Sequence, residues 1–450
     1  MRSSILILAA GTMGMLATLP GQTNGVSPFT DHLISSLDIS RSAISLAYLG
    51  GTVASALCMP AAGSLYDRWG SKRISLMAGA ALGGSVIALS YADRASGALS
   101  AVFPWMTNAV SAVLVMTAGF FLIRFFGQGI LNISSRSMVM KWFDHRRGAA
   151  NAVLSPAAAL GFAFAPLGFD MLITSFGWRG AWRLIGVFLM SVFVLVVLLF
   201  YADPTSSQQE AIRRIMPKDI RLMRTLKSLI SRKRNFDPPR PLRDYTLREA
   251  RRTYVFWYFN IATGFASLVG TGFTFHVVGI FASAGMSRTA ALAVFFPATM
   301  LAVIVQSLSS VLSDFVRLRW FPFIQMTGLL IMMWAVLILS EGLPYLLLIL
   351  GLGLNTAMNG IVGIISWPRF FGLRHLGKIT GANFVWVVGG SALGPYLYSL
   401  SDLIWGTYRH AAIVFALIAA VLLVLSFLAE NPNKADSINP VSLEQNAEPR

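Results

Sequence analysis

Charged residues are scarce in this chain, and cysteine is almost absent. Only 12% of the 450 residues are Asp, Glu, Lys or Arg, whereas soluble globular proteins average about 25%. This scarcity excludes an ordinary soluble domain. The single cysteine, Cys58, excludes an internal disulfide bond and gives no information on the redox compartment.

The sequence also lacks the short motifs of nucleotide-driven and hydrolytic enzymes. It contains no G-x-x-x-x-G-K-[ST] loop, no H-E-x-x-H pair and no G-x-S-x-G turn. No two aspartates fall where facing apolar helices would pair them. We therefore expect a protein that is not an enzyme and that holds no cofactor and no metal.

Long apolar stretches take up most of the chain. Hydrophobic residues make up 55% of it, and the mean hydropathy is +0.65. A membrane-spanning helix needs about 20 mainly apolar residues, and twelve stretches meet this need. They lie near 4–29, 42–66, 73–92, 108–133, 149–175, 180–201, 253–282, 289–312, 321–340, 343–366, 379–402 and 410–429. The sequence thus predicts an all-α membrane protein with twelve transmembrane helices.

The net charge of +17 is concentrated in one set of loops. Most Lys and Arg residues lie in the tails and in the loops at 67–73, 136–147, 203–252, 314–319 and 369–378. Cytoplasmic loops are enriched in Lys and Arg, so both termini are expected in the cytoplasm of a bacterial cell, with the chain in the inner (plasma) membrane. The expected surface partner is anionic lipid, and no nucleic-acid partner is expected.

Sequence patterns recur at matching places in two halves. GSLYDRWGSKR at 63–73 returns in degraded form at 310–320, and WFDHRRGAAN at 142–151 aligns with FFGLRHLGKITG at 370–381. Such repeats predict two pseudo-symmetric six-helix bundles. The expected domains are an amino-terminal bundle at 1–202, a basic cytoplasmic linker at 203–250, a carboxyl-terminal bundle at 251–430 and a disordered tail at 431–450.

The linker carries two local signals. Apolar residues within 218–230 have helical spacing with basic residues between them. This pattern fits either a helix that lies on anionic lipid or a solvated helix. Thr246 and Glu249 form the pattern of a capping box that opens the seventh apolar stretch.

The charged turn at 63–73 resembles the loop between the second and third helices of major facilitator superfamily transporters, G-x-L-x-D-R-x-G-x-K-R. The resemblance implies a secondary transporter in which two bundles rock about a central site, so that the site opens alternately to either face. It also implies inner-face contacts that hold one conformation. The residues concerned are Gly63, Asp67, Arg68, Gly70, Lys72 and Arg73, with Asp314 and Arg317 in the second half. Of these, Gly70 is expected to permit a turn that other residues resist.

Two further segments look like those of bacterial members near the monocarboxylate and oxalate/formate porters. They are GWRGAW at 177–182 and FGLRHLGKITG at 371–381. The oxalate-type porters place basic residues in helices eight and eleven, where this chain has Gln306 and Asn383. The resemblance therefore implies a substrate with a single carboxyl group.

Arg124 lies deep in the fourth apolar stretch and precedes Gly127 and Gly129, as in the fourth-helix motif of the same superfamily. A charge at the centre of a membrane helix costs about 2.5–3.5 kcal/mol, so Arg124 is expected to face the bundle interior. No Asp or Glu lies comparably deep. Its partner is therefore a backbone carbonyl, an amide such as Gln128, or an incoming anion. Two interpretations stay open: Arg124 binds a substrate carboxylate, or it only braces the amino-terminal helices.

Other residues are assigned by the helices that line the cavity in this fold, the first, fourth, seventh and tenth. The additional candidates for substrate binding are Gln22, Asn24, His276 and Asn355. Candidates for a co-transported proton are Asp31, His32, Asp170 and His276.

Two prolines and two glycine pairs are expected to shape the helices. Pro166 and Pro395 are expected to kink equivalent helices of the two halves. The pairs Gly79 with Gly83 and Gly390 with Gly394 have the spacing that lets helices pack closely.

The sequence as a whole predicts a secondary transporter of a small solute. An organic anion such as a monocarboxylate is the favoured substrate, and a monomer is expected. An alternative is an exporter of hydrophobic or drug-like compounds, which would tolerate the loss of Arg124. Another is a solute sensor on the same scaffold, which would bind its ligand without transporting it.

Overall fold

The computed structural model describes residues 2–143, 147–204, 244–312, 316–372 and 375–432, and every element that they form is a helix. Three predictions lie outside this part of the chain: the helix within 218–230, the contacts of Asp314 and the state of the tail from residue 433 onward. The side chain of Asp67 also lies outside it.

The first six predicted stretches are helical. The first of them is broken, because the chain bends by 57° between Ile5–Gly21 and Thr23–Leu37. The helices are α1 (Arg2–Ala17), α2 (Thr23–Val26), α3 (Thr30–Leu37), α4 (Arg41–Leu57), α5 (Met59–Leu89), α6 (Ala92–Val102), α7 (Asn108–Ile123), α8 (Asn132–Trp142), α9 (Arg147–Phe188) and α10 (Val194–Phe200). A π-helical turn, Arg124–Leu131, joins α7 to α8, and another, Leu189–Phe193, joins α9 to α10.

The last six predicted stretches are helical as well. The helices are α11 (Leu247–Ala250), α12 (Tyr254–Ser283), α13 (Arg288–Ala293), α14 (Phe295–Leu312), α15 (Trp320–Leu337), α16 (Leu343–Ile361), α17 (Trp367–Phe371), α18 (Leu376–Trp405) and α19 (Arg409–Ser426). A third π-helical turn, Val362–Ser366, joins α16 to α17. The predicted capping box is confirmed: Thr246 accepts from the amide of Glu249, whose carboxylate accepts from the amide of Thr246.

Within the described residues, eight helical runs are long and apolar enough to cross a membrane, or nine if the bent pair at the amino terminus is one span. The run Leu154–Phe200 is broken at Gly177 and supplies two of the predicted stretches. The stretches at 42–66 and 379–402 are also helical, although Gly, Ser and Asn residues lower their hydropathy. The fold is thus the predicted all-α, twelve-helix membrane architecture.

Gly70 and Gly177 allow the chain to leave one helix and enter the next without a loop. Their φ angles are +70° and +69°, a region that costs most other residues about 1–3 kcal/mol. The prediction of a glycine-dependent turn at Gly70 is confirmed.

The described residues form two compact units. The first contains the residues up to Pro204 together with Gly272–Phe296 and Pro395–Gly406. The second contains the residues from Asp244 to Thr271, Pro297–Gly394 and the residues from Thr407 onward. The domain boundaries expected from the repeats stay a prediction.

Glycines set the closest helix contacts inside each unit. In the first unit, a Cβ atom on Gly83 would lie 2.7 Å from the carbonyl oxygen of Gly186. In the second unit, a Cβ atom on Gly390 would collide with the carbonyl oxygen of Gly264. Close packing at Gly83 and Gly390 is therefore confirmed. Pro166 and Pro395 lie inside α9 and α18, and their kinks stay a prediction.

Candidate functional site

Arg124 opens the π-helical turn between α7 and α8 in the first unit, and only 2% of its surface is exposed. π-helical turns occur frequently at functional sites, because the extra residue displaces side chains from their regular helical positions. The same helix continues through Asn132 to Trp142, so Arg136, expected in a loop, lies on α8 and is exposed.

Tyr48 of α4 holds the buried guanidinium. Nη1 of Arg124 donates to the Tyr48 hydroxyl over 2.7 Å, and the guanidinium carbon lies 4.9 Å from the centroid of the Tyr48 ring. The same hydroxyl lies 2.7 Å from Oγ1 of Thr23. Because arginine nitrogens only donate, the Tyr48 oxygen accepts from Arg124 and can donate its own proton to Thr23.

The Tyr48 ring that lies over this cation belongs to a cluster of aromatic side chains. The Tyr48 ring lies 4.7 Å from Phe275 and 5.3 Å from Phe120, measured between centroids. Among the described residues, no carboxylate pairs with Arg124, and its Nε has no hydrogen-bond partner. A buried cation in this state favours an anion as its partner.

The break between α1 and α2 lies directly against the π-helical turn of Arg124. A Cβ atom on Gly21 would meet the amide nitrogen of Gln128 at 3.0 Å and Cα of Gly127 at 3.1 Å. Only glycine permits this approach of two backbones. The chain at Gly21, just before α2, therefore packs against Gly127 and Gln128, about one helical turn after Arg124.

Gln22 and Asn24, both predicted to bind substrate, follow this break. Nε2 of Gln22 donates to Oγ1 of Thr18 over 3.2 Å, within the same broken helix. Nδ2 of Asn24 donates to the carbonyl oxygen of Phe162 over 3.2 Å and so ties α2 to α9. In this conformation the Asn24 amide stabilises helix packing.

His276 is fully buried in the same unit. Its Nε2 lies 2.8 Å from the carbonyl oxygen of Pro395 and 3.4 Å from Oγ of Ser45. A carbonyl oxygen only accepts, so Nε2 carries a proton. Its neighbour Phe275 packs on Tyr48, and His276 is therefore linked to Arg124 through two aromatic residues.

Asn355 lies in the second unit, where it is 5% exposed and its Oδ1 has no hydrogen-bond partner among the described residues. Asn383 of the same unit is bonded to the seventh apolar stretch: its Nδ2 donates to Oδ1 of Asn260 over 3.1 Å and to Oγ1 of Thr263 over 2.8 Å. The structure thus places Gln22, Asn24, Arg124 and His276 in one unit and Asn355 in the other.

A cluster of ion pairs joins the ends of several helices in the first unit. Nε of Arg288 lies 2.6 Å from Asp170, and Nη1 lies 3.7 Å from Asp31. Arg41 lies 2.6 Å from Asp31 and 3.9 Å from Asp402. Both aspartates proposed for proton coupling are therefore bound to arginines.

Asp203 lies just after α10. It caps the second part of α5, which begins at Ser71 after the break at Gly70. Its carboxylate accepts from the amide of Ser71 over 3.0 Å and from the Ser71 hydroxyl over 2.7 Å. Nζ of Lys141 donates to it over 3.1 Å. A Cβ atom on Gly70 would lie 2.5 Å from the same carboxylate, so glycine is needed there for space as well as for φ.

The structure also describes several other residues of the predicted gating set. Nζ of Lys72 donates to the carbonyl oxygen of Leu198 over 2.7 Å. Arg68 and Arg73 are exposed, and Arg317 lies half-buried between α14 and α15. The gating role of this set stays a prediction.

The Asp203 carboxylate should stabilise the fold in a pH-dependent way. Burial raises the pKa of Asp203, but the hydrogen bonds from Ser71 and the Lys141 ammonium outweigh it and hold the pKa below its ordinary value. A lowered pKa gives stability that is present above the ordinary aspartate pKa and is lost as pH falls through the lower folded value. We expect Asp203→Asn to lower stability by about 1 kcal/mol at pH 7, as for other helix caps, since the group is partly exposed.

Thermal unfolding of the purified protein in detergent checks this expectation. The difference in melting temperature between parent and Asp203→Asn should shrink as pH falls below about 4. Glu341→Gln, which removes an exposed carboxylate, should show no comparable difference. Equal melting temperatures for parent and Asp203→Asn at pH 7 would contradict the capping role.

Reasoning from the sequence missed Tyr48 and Asp203. A tyrosine in an apolar stretch carries no signal that separates packing from function. Asp203 could have been predicted in part. It directly follows the sixth apolar stretch, whose end is expected on the same side of the membrane as the basic turn at 67–73. Its position at the start of the charged segment 203–250 hides this signal, because composition assigns it to the linker.

An apolar groove of about 1020 Å³ lies in the first unit between α1, α9 and the π-helical turn that follows α9. Leu8, Leu16, Phe169 and Phe188 are among its lining residues, and Thr12 is a polar one. None of the residues predicted to bind substrate lines it.

The sequence matches the family described as Major Facilitator Superfamily over residues 5–395. The chain belongs to this superfamily. No curated protein matches the sequence.

Two solved transporter structures share the fold. The crystal structure of the nucleoside transporter NupG is 12% identical, with a TM-score of 0.61 over 95% of this chain and 99% of that chain. A bacterial homologue of the human lysosomal transporter Spinster, in an inward-facing and occupied conformation, is 14% identical, with a TM-score of 0.65 over 95% of this chain and 97% of that chain.

Membership of the superfamily decides the broad function. The chain is a multi-pass membrane protein and a secondary transporter of a small-molecule substrate, and it is not an enzyme. The expected transporter class is confirmed at this level. The resemblance to monocarboxylate and oxalate/formate porters is a finer statement and stays a proposal.

Proposed function

We propose that this transporter moves a small organic anion with a single carboxyl group, by alternating access, across the bacterial inner membrane. In this proposal the chain acts as a monomer with both termini in the cytoplasm. One observation carries the substrate class: Arg124 is buried, lacks a carboxylate partner among the described residues and leaves Nε without an acceptor.

A carboxylate satisfies the geometric needs of Arg124. The guanidinium presents five donors in a planar fork, which matches two carboxylate oxygens at once. Tyr48 occupies Nη1, so the edge formed by Nε and the other terminal nitrogen is the expected face for the substrate. Hydrogen bonds between such ionised groups are about twice as strong as neutral ones.

The other candidate residues have narrower roles in this proposal. Asn24 and His276 bond to backbone carbonyls of neighbouring helices, and both would have to give up these bonds before they could contact a substrate. The buried Oδ1 of Asn355 has no partner in the described part of the chain, so it can accept from a substrate hydroxyl or from a protonated group. A co-transported proton would use His276 or one of the paired aspartates, Asp31 and Asp170.

Counterflow in liposomes tests the substrate class directly. Purified protein should exchange labelled small monocarboxylates such as lactate or pyruvate, but not their neutral amides, which have the same shape and lack the charge. It should also be stabilised against heat by the acids alone. Stabilisation by neutral amides, sugars or nucleosides, with none by any carboxylate, would contradict the proposal. Repeating exchange at several pH values shows whether a proton accompanies the anion.

The apolar groove supports a second candidate, an exporter of hydrophobic compounds. Its volume of about 1020 Å³ and its almost wholly apolar lining suit a large lipophilic molecule rather than a small anion. Under this alternative, bulky substitutions such as Leu16→Trp should reduce efflux, and Arg124→Gln should not. A solute sensor would bind ligand with no exchange at all.

A further inference from the structure

A cationic pocket of about 570 Å³ lies in the second unit, where α11 meets the start of α18. It is separate from the residues assigned to the substrate. Its lining residues are Thr246, Leu247, Arg248, Arg251, Arg252, His375 and Lys378.

The pocket gathers positive charge that is not neutralised by the described part of the chain. There, no carboxylate pairs with Arg248, Arg251, Arg252 or Lys378. The neighbouring carboxylate, Glu249, accepts from the amide and hydroxyl of Thr246, each over 2.7 Å, and so caps its own helix. Four like charges around one opening repel each other, and a bound anion relieves this repulsion.

The amino terminus of a long helix adds to this field. α18 has 30 residues and begins at Leu376, between His375 and Lys378 of the pocket. The carbonyl oxygen of His375 accepts from the amides of Lys378 and Ile379 over 3.1 Å and 3.3 Å, which marks the first turn. The amide end of a helix carries partial positive charge and favours anions, phosphate above all.

Exposed aromatic residues place the pocket at the membrane surface. Tyr254 and Trp257 follow the arginines directly and are each 43% exposed, and Trp386 is 39% exposed. Nε1 of Trp257 donates to the carbonyl oxygen of Arg251 over 2.7 Å, and the Trp257 ring lies 6.3 Å from Trp386. Tyr and Trp are enriched where the hydrocarbon meets the head groups.

We propose that this pocket binds a phosphate group, carried by an anionic phospholipid whose acyl chains lie along Trp257 and Trp386. A guanidinium group can donate two parallel hydrogen bonds to two oxygens of one phosphate. Several arginines around one opening therefore favour a ligand group with several charged oxygens. The exposed indole rings beside the pocket supply an apolar surface that a free phosphate would leave uncovered. The site does not depend on which solute is transported.

Native mass spectrometry of the full chain in mild detergent tests the site. The parent should retain phosphatidylglycerol in preference to phosphatidylcholine. Each Lys or Arg near an anionic head group contributes about fivefold in affinity, so Arg251→Gln with Lys378→Gln should weaken retention roughly 25-fold. The control, Arg94→Gln with Arg409→Gln, removes two exposed arginines outside the pocket and should retain phosphatidylglycerol like the parent.

A second variant and a soluble probe separate the outcomes. Arg248→Gln with Arg252→Gln removes the other two cations, so a folding defect in one variant does not leave the site untested. If inorganic phosphate or glycerol 3-phosphate stabilised the parent but neither variant, and phosphatidylglycerol had no effect, the phosphate site would stand and the lipid source would be wrong. Equal retention of phosphatidylglycerol by the parent, both variants and the control would overturn the proposal.

Discussion

Arg124→Gln should abolish saturable exchange of the organic anion in liposomes while the protein still inserts and purifies. The guanidinium is buried, and among the residues that the structure describes its hydrogen-bond partner is a neutral hydroxyl, that of Tyr48. Loss of a hydrogen bond to an ionised group costs about 1.5–3 kcal/mol, and two such bonds are expected here. Substrate affinity should therefore fall by roughly 100-fold or more, measured as the shift in the concentration that stabilises the protein against heat.

Two companion variants separate binding from bracing. Arg124→Lys keeps the charge but cannot present a fork, so it should bind the anion with intermediate affinity. Tyr48→Phe removes the hydroxyl and keeps the ring that lies over the guanidinium, so anion binding should persist. If Arg124→Gln bound and exchanged the anion like the parent but unfolded at lower temperature, Arg124 would be only a brace.

Gly390→Ala should destabilise the protein, whereas Gly389→Ala, one residue earlier in the same helix, should not. The added Cβ at Gly390 would collide with the carbonyl oxygen of Gly264, and backbone cannot move aside as a flexible side chain can. A Cβ at Gly389 meets nothing within 4 Å. Overpacking at Gly390 should cost about 1–3 kcal/mol of stability. At Gly389, alanine should instead add about 0.5–1 kcal/mol, because glycine loses more conformational entropy than alanine when a helix forms.

The two variants should thus shift the melting temperature in opposite directions, measured in the same detergent. Gly83→Ala and Gly84→Ala repeat the comparison in the first unit, since Gly83 lies against Gly186 and Gly84 has open space. Equal effects of the two substitutions in each pair would contradict the close packing of helices at Gly83 and Gly390.

Some details of the fold could be predicted because they depend on neighbours in sequence. The capping box needs only a threonine and a glutamate three residues apart, and both residues bond as expected. The turn at Gly70 needs a residue that accepts φ near +70°, and glycine alone does so at no cost. The twelve apolar stretches became helices because a chain inside lipid must satisfy its backbone hydrogen bonds within each segment.

The candidate site was predictable only in part. Arg124 was visible from sequence, since a lone charge in an apolar stretch is costly wherever it lies. Its partner was not visible, because Tyr48 is 76 residues away and looks like any packing residue. The bond of Asn24 was not visible either: its amide donates to the carbonyl oxygen of Phe162, 138 residues away, and its contact with a substrate stays a prediction.

The sequence by itself determined the class of protein, the apolar stretches that form its membrane helices and the sharp turn at Gly70, because hydropathy and glycine act locally along the chain. Tertiary structure alone decided that Arg124 bonds to Tyr48, that Asp203 caps the helical segment beginning at Ser71, and that four cations line one pocket, namely Arg248, Arg251, Arg252 and Lys378. These features join residues far apart in the chain. Their energies depend on distances and burial that only the packed helices define.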